Sequence, residues 1–250
     1  MSISLSECLW PSLPEKYLSA LKDATSFVLT EFPQAVGVIV SGTIIRGRAD
    51  PSSDLDIYVI HLAGFRQRIQ QYFRGVPAEI FVNPPKAIER YFHEEERDSR
   101  PLTAHMLATG HLIAATDPIV ASILEAAKAR LTKLPTVPKD LVSSRYTLAT
   151  LLEDAVDASA RDKATSRMIL PLAVEKLLRH LFLAAGRFQP RQKDLLREVG
   201  LLDPEMGRLA RLFYSRRGLK AQLRAANAIA DRSIQARGFF EWRSEPEVIP

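Results

Sequence analysis

The first half of the chain alternates between short apolar runs and longer amphipathic stretches. The apolar, β-branched runs predict five strands: residues 35–40, 55–62, 69–73, 78–82 and 112–115. A turn signal at Gly75-Val76-Pro77 separates the third run from the fourth and predicts an antiparallel pair, and the last run fits an edge strand. The amphipathic stretches predict four helices: residues 12–32, 86–98, 101–108 and 118–131.

From residue 141 onward the pattern has helical spacing throughout, interrupted by short turns that are polar or contain Gly or Pro. It predicts five helices: residues 141–160, 164–185, 190–199, 204–216 and 219–237. Two prolines within residues 132–139 separate the two halves. We therefore predict an α+β protein, with a mixed-sheet α/β domain at residues 1–135 and an all-helical domain at residues 140–250.

Composition and charge narrow the class of protein. The 250 residues are 46% hydrophobic and 25% charged, which is ordinary for a globular protein and excludes disordered and collagen-like classes. The net charge of +5 lies entirely in residues 140–250, because residues 1–139 carry 15 basic and 15 acidic side chains. Acidic side chains are interspersed among the basic ones in this half, so nucleic-acid binding is the least favoured function. Residues 187–237, with 12 basic and 5 acidic side chains, suit a surface that faces a triphosphate.

Cysteine usage and hydropathy indicate the compartment. The single cysteine, Cys8, cannot form an internal disulfide. No apolar stretch reaches the roughly 18 to 20 residues that span a bilayer, and the first residues lack a basic patch followed by an apolar run. We expect a cytoplasmic protein with no membrane partner, either a monomer or a homodimer.

The segment between the first two predicted strands carries the candidate chemistry. The first strand ends at Gly42, whose missing side chain lets a ligand approach the backbone, and the hydroxyl of Thr43 follows at once. This pattern is typical of a phosphate-binding loop. Asp54 and Asp56 begin the next strand two residues apart, so both carboxylates project from the same face.

Two carboxylates side by side repel each other, and a divalent cation is the usual resolution. Hard cations such as Mg²⁺ prefer carboxylate and phosphate oxygens, so the pair predicts a Mg²⁺ site for a nucleotide. Glu79 is an acid inside an otherwise apolar strand, a position that favours either a third ligand of this site or simple exposure on an edge strand.

In this order and spacing, the motifs resemble the nucleotidyltransferase superfamily that includes DNA polymerase beta. Within it, the similarity is to the small bacterial nucleotidyltransferases and the aminoglycoside adenylyltransferases. Thr43 stands where that pattern more often has Ser, which keeps the hydroxyl. The motifs that carry the resemblance are Gly42-Thr43, Arg46-Gly47, Ser53-Asp54-Leu55-Asp56 and Glu79.

The resemblance implies a fold, a reaction and a set of site residues. It implies a nucleotidyltransferase domain in which Asp54 and Asp56 hold Mg²⁺ and a nucleoside triphosphate. Glu79 then either activates the acceptor hydroxyl or completes the metal site. An acceptor oxygen attacks the α-phosphorus of ATP, and pyrophosphate is released. The triphosphate is expected to contact the loop residues Gly42, Thr43, Arg46 and Ser53, of which Arg46 also fits a bracing role.

The helical half supplies four further candidates. Lys193 and Tyr214 resemble a Lys and a Tyr that touch the nucleotide in streptomycin-type adenylyltransferases, and Lys193 is expected in the first turn of a helix that begins at Pro190. Asp154 and Asp157 share the polar face of the predicted helix 141–160. They are either a solvated face or contacts for a cationic acceptor such as an aminoglycoside.

Two functions of different classes fit the sequence. The first is a Mg²⁺-dependent nucleotidyltransferase that moves AMP from ATP to a hydroxyl of an acceptor, with the triphosphate and the acceptor as its partners. The alternative is a non-catalytic nucleotidyltransferase-like module, regulatory or antitoxin-like, that binds a partner protein. Three intact carboxylates, Asp54, Asp56 and Glu79, favour the enzyme.

Overall fold

The computed structural model of the chain describes residues 3–135, 137 and 141–243. The chain divides into two compact units, Met1–Leu134 and Pro135–Pro250. Part of the predicted boundary, residues 136 and 138–139, lies outside the described residues. The predicted fold class is confirmed, since an α+β unit with a mixed sheet precedes a helical unit. Among the described residues, no helix is both long enough and apolar enough to cross a membrane.

A five-stranded sheet organises the N-terminal unit. Its strands are β1 (Ala35–Ser41), β2 (Leu55–His61), β3 (Gln67–Phe73), β4 (Val76–Asn83) and β5 (His111–Ala115). They lie in the order β3-β4-β2-β1-β5, with β2 and β4 parallel and the other neighbours antiparallel. The predicted antiparallel pair and the predicted edge strand are therefore confirmed.

The turn between β3 and β4 differs from the prediction. Val76 and Pro77, which we expected in the turn, belong to β4, and the connection is the two residues Arg74 and Gly75. Both have positive φ, 49° and 76°, as a type I′ hairpin turn requires. The shorter turn shifts the register of the hairpin relative to the one that the predicted strands imply.

Both faces of the sheet are covered by helices, so the central strand β2 is buried on both sides. The unit's helices are α1 (Glu15–Glu31), α2 (Pro85–Arg97), α3 (Leu102–Thr109) and α4 (Pro118–Thr132). Leu55, Ile57 and Val59 face the core that includes α1, whereas Tyr58 and Ile60 face the core that includes α2, α3 and α4. Each such side chain stabilises the fold by about 1.5–3 kcal/mol when fully buried. Asp56 projects from the second of these faces because residues two apart share a face.

The C-terminal unit is helical and has one core. Its helices are α5 (Leu141–Arg161), α6 (Lys163–Ala184), α7 (Leu195–Leu202), α8 (Pro204–Ser215) and α9 (Leu219–Ser233). Aspartates cap two of them: Asp162 accepts from the backbone N–H groups of Ala164 and Thr165, and Asp203 accepts from that of Met206.

The helix predicted to begin at Pro190 begins later. A single 3₁₀ turn covers Gln192–Asp194, and α7 starts only at Leu195. The cause is Arg179 on α6, whose guanidinium donates to the side chains of Gln189 and Gln192 and to the carbonyl oxygen of Pro190. These contacts hold the segment in an extended form, which the local sequence pattern could not show.

Two glycines let α7 and α8 pack at close range. A Cβ placed on Gly207 would lie 2.5 Å from the Cα of Gly200, a distance that real atoms do not adopt. A Cβ on Gly200 would lie 4.0 Å from the Cα of Gly207, which is an ordinary contact. The crossing therefore requires glycine at one of the two positions and not at the other.

We expect Gly207→Ala to lower the free energy of unfolding by about 1–3 kcal/mol, because the added methyl group pushes two helix backbones apart. Gly200→Ala is the matched control. It should be neutral or stabilising by up to about 1 kcal/mol, because alanine is the better helix former. Urea unfolding followed by circular dichroism measures both, and equal effects of the two substitutions would contradict the asymmetry.

Candidate functional site

Strand register brings four polar side chains into one row across the sheet. Ser41 of β1 lies opposite Asp56 of β2, Asp56 lies beside Glu79 of β4, and Glu79 lies opposite Gln70 of β3. Directly paired residues share a face of the sheet, so all four side chains project from the face to which Tyr58 belongs. Two residues along each strand, the next row on the same face holds Ile39, Tyr58, Phe81 and Arg68.

Asp54, just before β2, brings a third carboxylate to the two in this row. Asp54, Asp56 and Glu79 each offer one oxygen, these oxygens lie within 4.8 Å of one another, and all three residues are half-buried. Like charges this close repel, and a divalent cation with oxygen ligands relieves that repulsion. The donor set is one that Mg²⁺ prefers.

A buried hydroxyl beside the carboxylates gives an independent sign of a polar ligand. Ser41 is 1% exposed, and its Oγ has no hydrogen-bond partner among the described residues. A buried hydroxyl without a partner costs about 1–3 kcal/mol, so such groups are rare unless a ligand or water completes them. Because Ser41 is paired directly with Asp56, any such ligand lies next to the carboxylates.

The loop that follows β1 is shaped by Gly42. Its φ is +99°, in the region that glycine adopts most readily, and a Cβ there would lie 2.7 Å from Oδ2 of Asp56. The chain then makes a tight turn, in which the backbone N–H groups of Arg46 and Arg48 donate to the carbonyl oxygens of Gly42 and Thr43. The missing side chain therefore lets the carboxylate of Asp56 lie directly against the loop.

A pair of hydroxyls fixes the other side of this loop. The Oγ1 of Thr43 and the Oγ of Ser53 are 2.8 Å apart, and the Ser53 oxygen also accepts from the backbone N–H of Asp50 at 2.8 Å. Ser53 is buried at 7% exposure, whereas Thr43 is half-buried. Ser53 thus braces the loop from behind, and Thr43 is the hydroxyl with access to a ligand.

Two residues of β3 contact the third carboxylate, and the sequence pattern did not reveal them. Arg68 forms an ion pair with Oε1 of Glu79, and the side-chain amide of Gln70 donates to the same oxygen at 3.0 Å. The signal that would have found them is the two-residue turn, since pairing Phe73 with Val76 places Gln70 opposite Glu79. Ser41 was missed in the same way, because its role follows from cross-strand pairing.

The four candidates from the helical half all lie in the C-terminal unit. Lys193 is exposed on the 3₁₀ turn, not in the first turn of an α-helix. Tyr214 on α8 is 44% exposed and stacks edge-on against Phe213, and partial burial, with a smaller effect of the Glu175 charge, raises the pKa of its hydroxyl. Asp154 and Asp157 are exposed on α5.

The acidic side chains of residues 187–237 are neutralised by ion pairs. Each of the five acids in this range contacts an arginine: Asp194, Glu198, Asp203, Glu205 and Asp231. These ion pairs engage five of the basic side chains in the range: Arg191, Arg197, Arg208, Arg232 and Arg237.

Comparison with known proteins identifies a similar fold. No protein-family profile and no curated protein sequence matches the chain. Among solved structures, the chain is similar to a nucleotidyltransferase-like protein from Exiguobacterium sibiricum 255-15, with 14% sequence identity and a TM-score of 0.53. The match covers 86% of this chain and 74% of that one. The resemblance to the aminoglycoside adenylyltransferases stays a prediction. The chain therefore has the fold of a nucleotidyltransferase-like protein.

Proposed function

We propose that the protein is a Mg²⁺-dependent nucleotidyltransferase that moves AMP from ATP to a hydroxyl of an acceptor. The observation that carries this proposal is the cluster of Asp54, Asp56 and Glu79 beside a glycine loop, on a nucleotidyltransferase-like fold. The unpartnered hydroxyl of Ser41 next to Asp56 supports a polar ligand at this place. Intact carboxylates favour this reaction over a non-catalytic, partner-binding module.

Asp54 and Asp56 are the residues that would hold the cation. When bound, Mg²⁺ supplies positive charge that neutralises phosphate oxygens and polarises the α-phosphorus. Asp56 lies on β2, so the strand orients its carboxylate, and Asp54 lies immediately before the first residue of that strand. The pairing of β2 with β1 and β4 sets the position of Asp56.

The loop after β1 is suited to bind the triphosphate. Gly42 keeps side-chain atoms away from the approach to Asp56, and the Thr43 hydroxyl, held at Ser53, can donate to a phosphate oxygen when Ser53 is the donor within their pair. Arg46, half-buried in the same turn, adds positive charge to the loop. In the C-terminal unit, Lys193 and Tyr214 are our candidates for nucleotide contacts.

The transfer requires an acceptor oxygen in line with the leaving pyrophosphate. The new bond forms between this oxygen and the α-phosphorus, while the bond from the α-phosphorus to the bridging oxygen of the β-phosphate breaks and pyrophosphate leaves with the electron pair. A carboxylate of the cluster takes the acceptor proton, and Glu79 is our candidate. An aminoglycoside remains a candidate acceptor, with Asp154 and Asp157 as its contacts.

We expect Asp54→Asn and Asp56→Asn each to lower AMP transfer at least about a hundredfold, because each removes a charge that the cation needs. The same variants should lose stabilisation by Mg²⁺, which for wild type is about 2.7 kcal/mol at 100 times the dissociation constant. Thermal unfolding with and without Mg²⁺, and transfer of radiolabelled AMP to a panel of aminoglycosides and proteins, measure the two effects. Without Mg²⁺, both variants should be about as stable as wild type, because each relieves repulsion.

The matched control is Glu89→Gln, which removes one negative charge from an exposed position of α2. It should retain both Mg²⁺ stabilisation and transfer. Equal Mg²⁺ stabilisation of wild type, Asp54→Asn and Asp56→Asn would rule out the proposed metal site.

We expect Thr43→Val to weaken nucleotide binding about tenfold, because it removes a hydroxyl donor to a charged oxygen while keeping the side-chain volume. Thr43→Ser keeps the hydroxyl and should bind within about twofold of wild type. The dissociation constant of a fluorescent ATP analogue measures both variants. If Thr43→Val binds as tightly as Thr43→Ser, the hydroxyl does not contact the nucleotide.

A further inference from the structure

The third carboxylate of the cluster already has a cationic partner. Arg68 contacts Oε1 of Glu79 with two of its nitrogen atoms, Nε and Nη2. The side chain of Glu79 is only 14% exposed, whereas that of Arg68 is 64% exposed. The ion pair therefore covers a mostly buried carboxylate from the solvent side, at the edge of the sheet.

The position of Arg68 is fixed by contacts on both sides. Arg68 pairs with Phe81, two residues from Glu79 along β4, and its guanidinium carbon lies 5.1 Å from the centre of the Phe81 ring. Gln70, directly opposite Glu79, donates to the same Oε1 at 3.0 Å. An arginine that is stacked on an aromatic ring and bound to a carboxylate is held more firmly than a solvated side chain.

The charges in the cluster decide how many cations it can accept. Glu79 carries one of the three negative charges of the cluster, and the guanidinium of Arg68 already balances that charge. A second divalent cation bound through Glu79 would lie beside the guanidinium, and like charges at that distance repel. The hydrogen bonds from Arg68 and Gln70 both go to Oε1 of Glu79, which leaves its other oxygen, Oε2, as the one to offer a ligand.

We propose that Arg68 takes the place of a second divalent cation, so that the site binds one metal ion and not two. The inference rests on the proposed function, because it assumes that Asp54 and Asp56 hold a metal. Arg68 is then a positioning residue. It neutralises Glu79 and orients its carboxylate, which keeps the acceptor side of the site free of a metal ion.

The number of bound metal ions tests this proposal directly. We would titrate the full chain with Mn²⁺, alone and with a non-hydrolysable ATP analogue, and count bound ions by electron paramagnetic resonance. Wild type should bind one ion per chain. Arg68→Gln should bind a second ion at least about tenfold more tightly than wild type does, with magnetic coupling between the two ions.

Two further variants test whether the positive charge beside Glu79, and not the overall charge of the protein, controls the number of bound ions. Arg68→Lys keeps a cation beside Glu79 and should still bind one ion. Arg74→Gln removes the same charge from the same hairpin, at a residue that pairs with Asp23 instead of the cluster, and should also bind one ion. A second ion in Arg74→Gln would mean that overall charge, not Arg68, controls the number of ions.

The outcomes distinguish this inference from the function on which it rests. Two ions in wild type, or one ion of unchanged affinity in Arg68→Gln, would overturn the role of Arg68 and leave the proposed function intact. No Mn²⁺ binding to wild type, with or without the nucleotide analogue, would overturn both.

Discussion

The register of β2 between β1 and β4 is the constraint on which the site depends. This pairing puts Ser41, Asp56 and Glu79 in one row, although they are separated by 15 and 23 positions in the chain. A slip of one residue would turn every side chain of β2 to the opposite face. The register is held by the two cores, since alternate residues of β2 are buried on opposite faces. Hydrophobic packing thus sets the positions of charges that would otherwise move apart.

Gly42 makes the position of the loop after β1 depend on the same strand register. The Oδ2 atom of Asp56 occupies the space where a side chain at position 42 would begin, so the loop and the carboxylate have to be placed together. Thr43 and Ser53 then join the two ends of the loop through their hydroxyls. A glycine, a hydroxyl and a carboxylate in this order along the sequence are parts of one packed unit, which accounts for their spacing.

Local spacing predicted the parts of the site that lie within one strand and its flanking loop. The two-residue spacing predicted that Asp54 and Asp56 lie together, and Glu79 was recognisable as an acid in an apolar strand; oxygens of all three lie within 4.8 Å of one another. Asp54 lies just before the first residue of β2, so strand alternation does not itself place it. Arg68 was not predictable in this way, since its contact depends on a two-residue turn that the strand pattern placed incorrectly. The late start of α7 has a similar cause, because Arg179 acts on residues 10 to 13 positions away. For Asp154, Asp157, Lys193 and Tyr214, the sequence-based roles remain predictions.

The placement of Arg68 on an edge strand has a consequence for how this protein can diverge. Only Phe73 of β3 is fully buried, and the side chains of Arg68 and Gln70 are exposed. Substitutions at exposed positions usually change the free energy of unfolding by no more than about 0.5 kcal/mol. The partner of the third carboxylate can therefore be replaced during evolution without disturbing the core that holds Asp54 and Asp56. Related chains can then keep the same carboxylates and differ in what surrounds them.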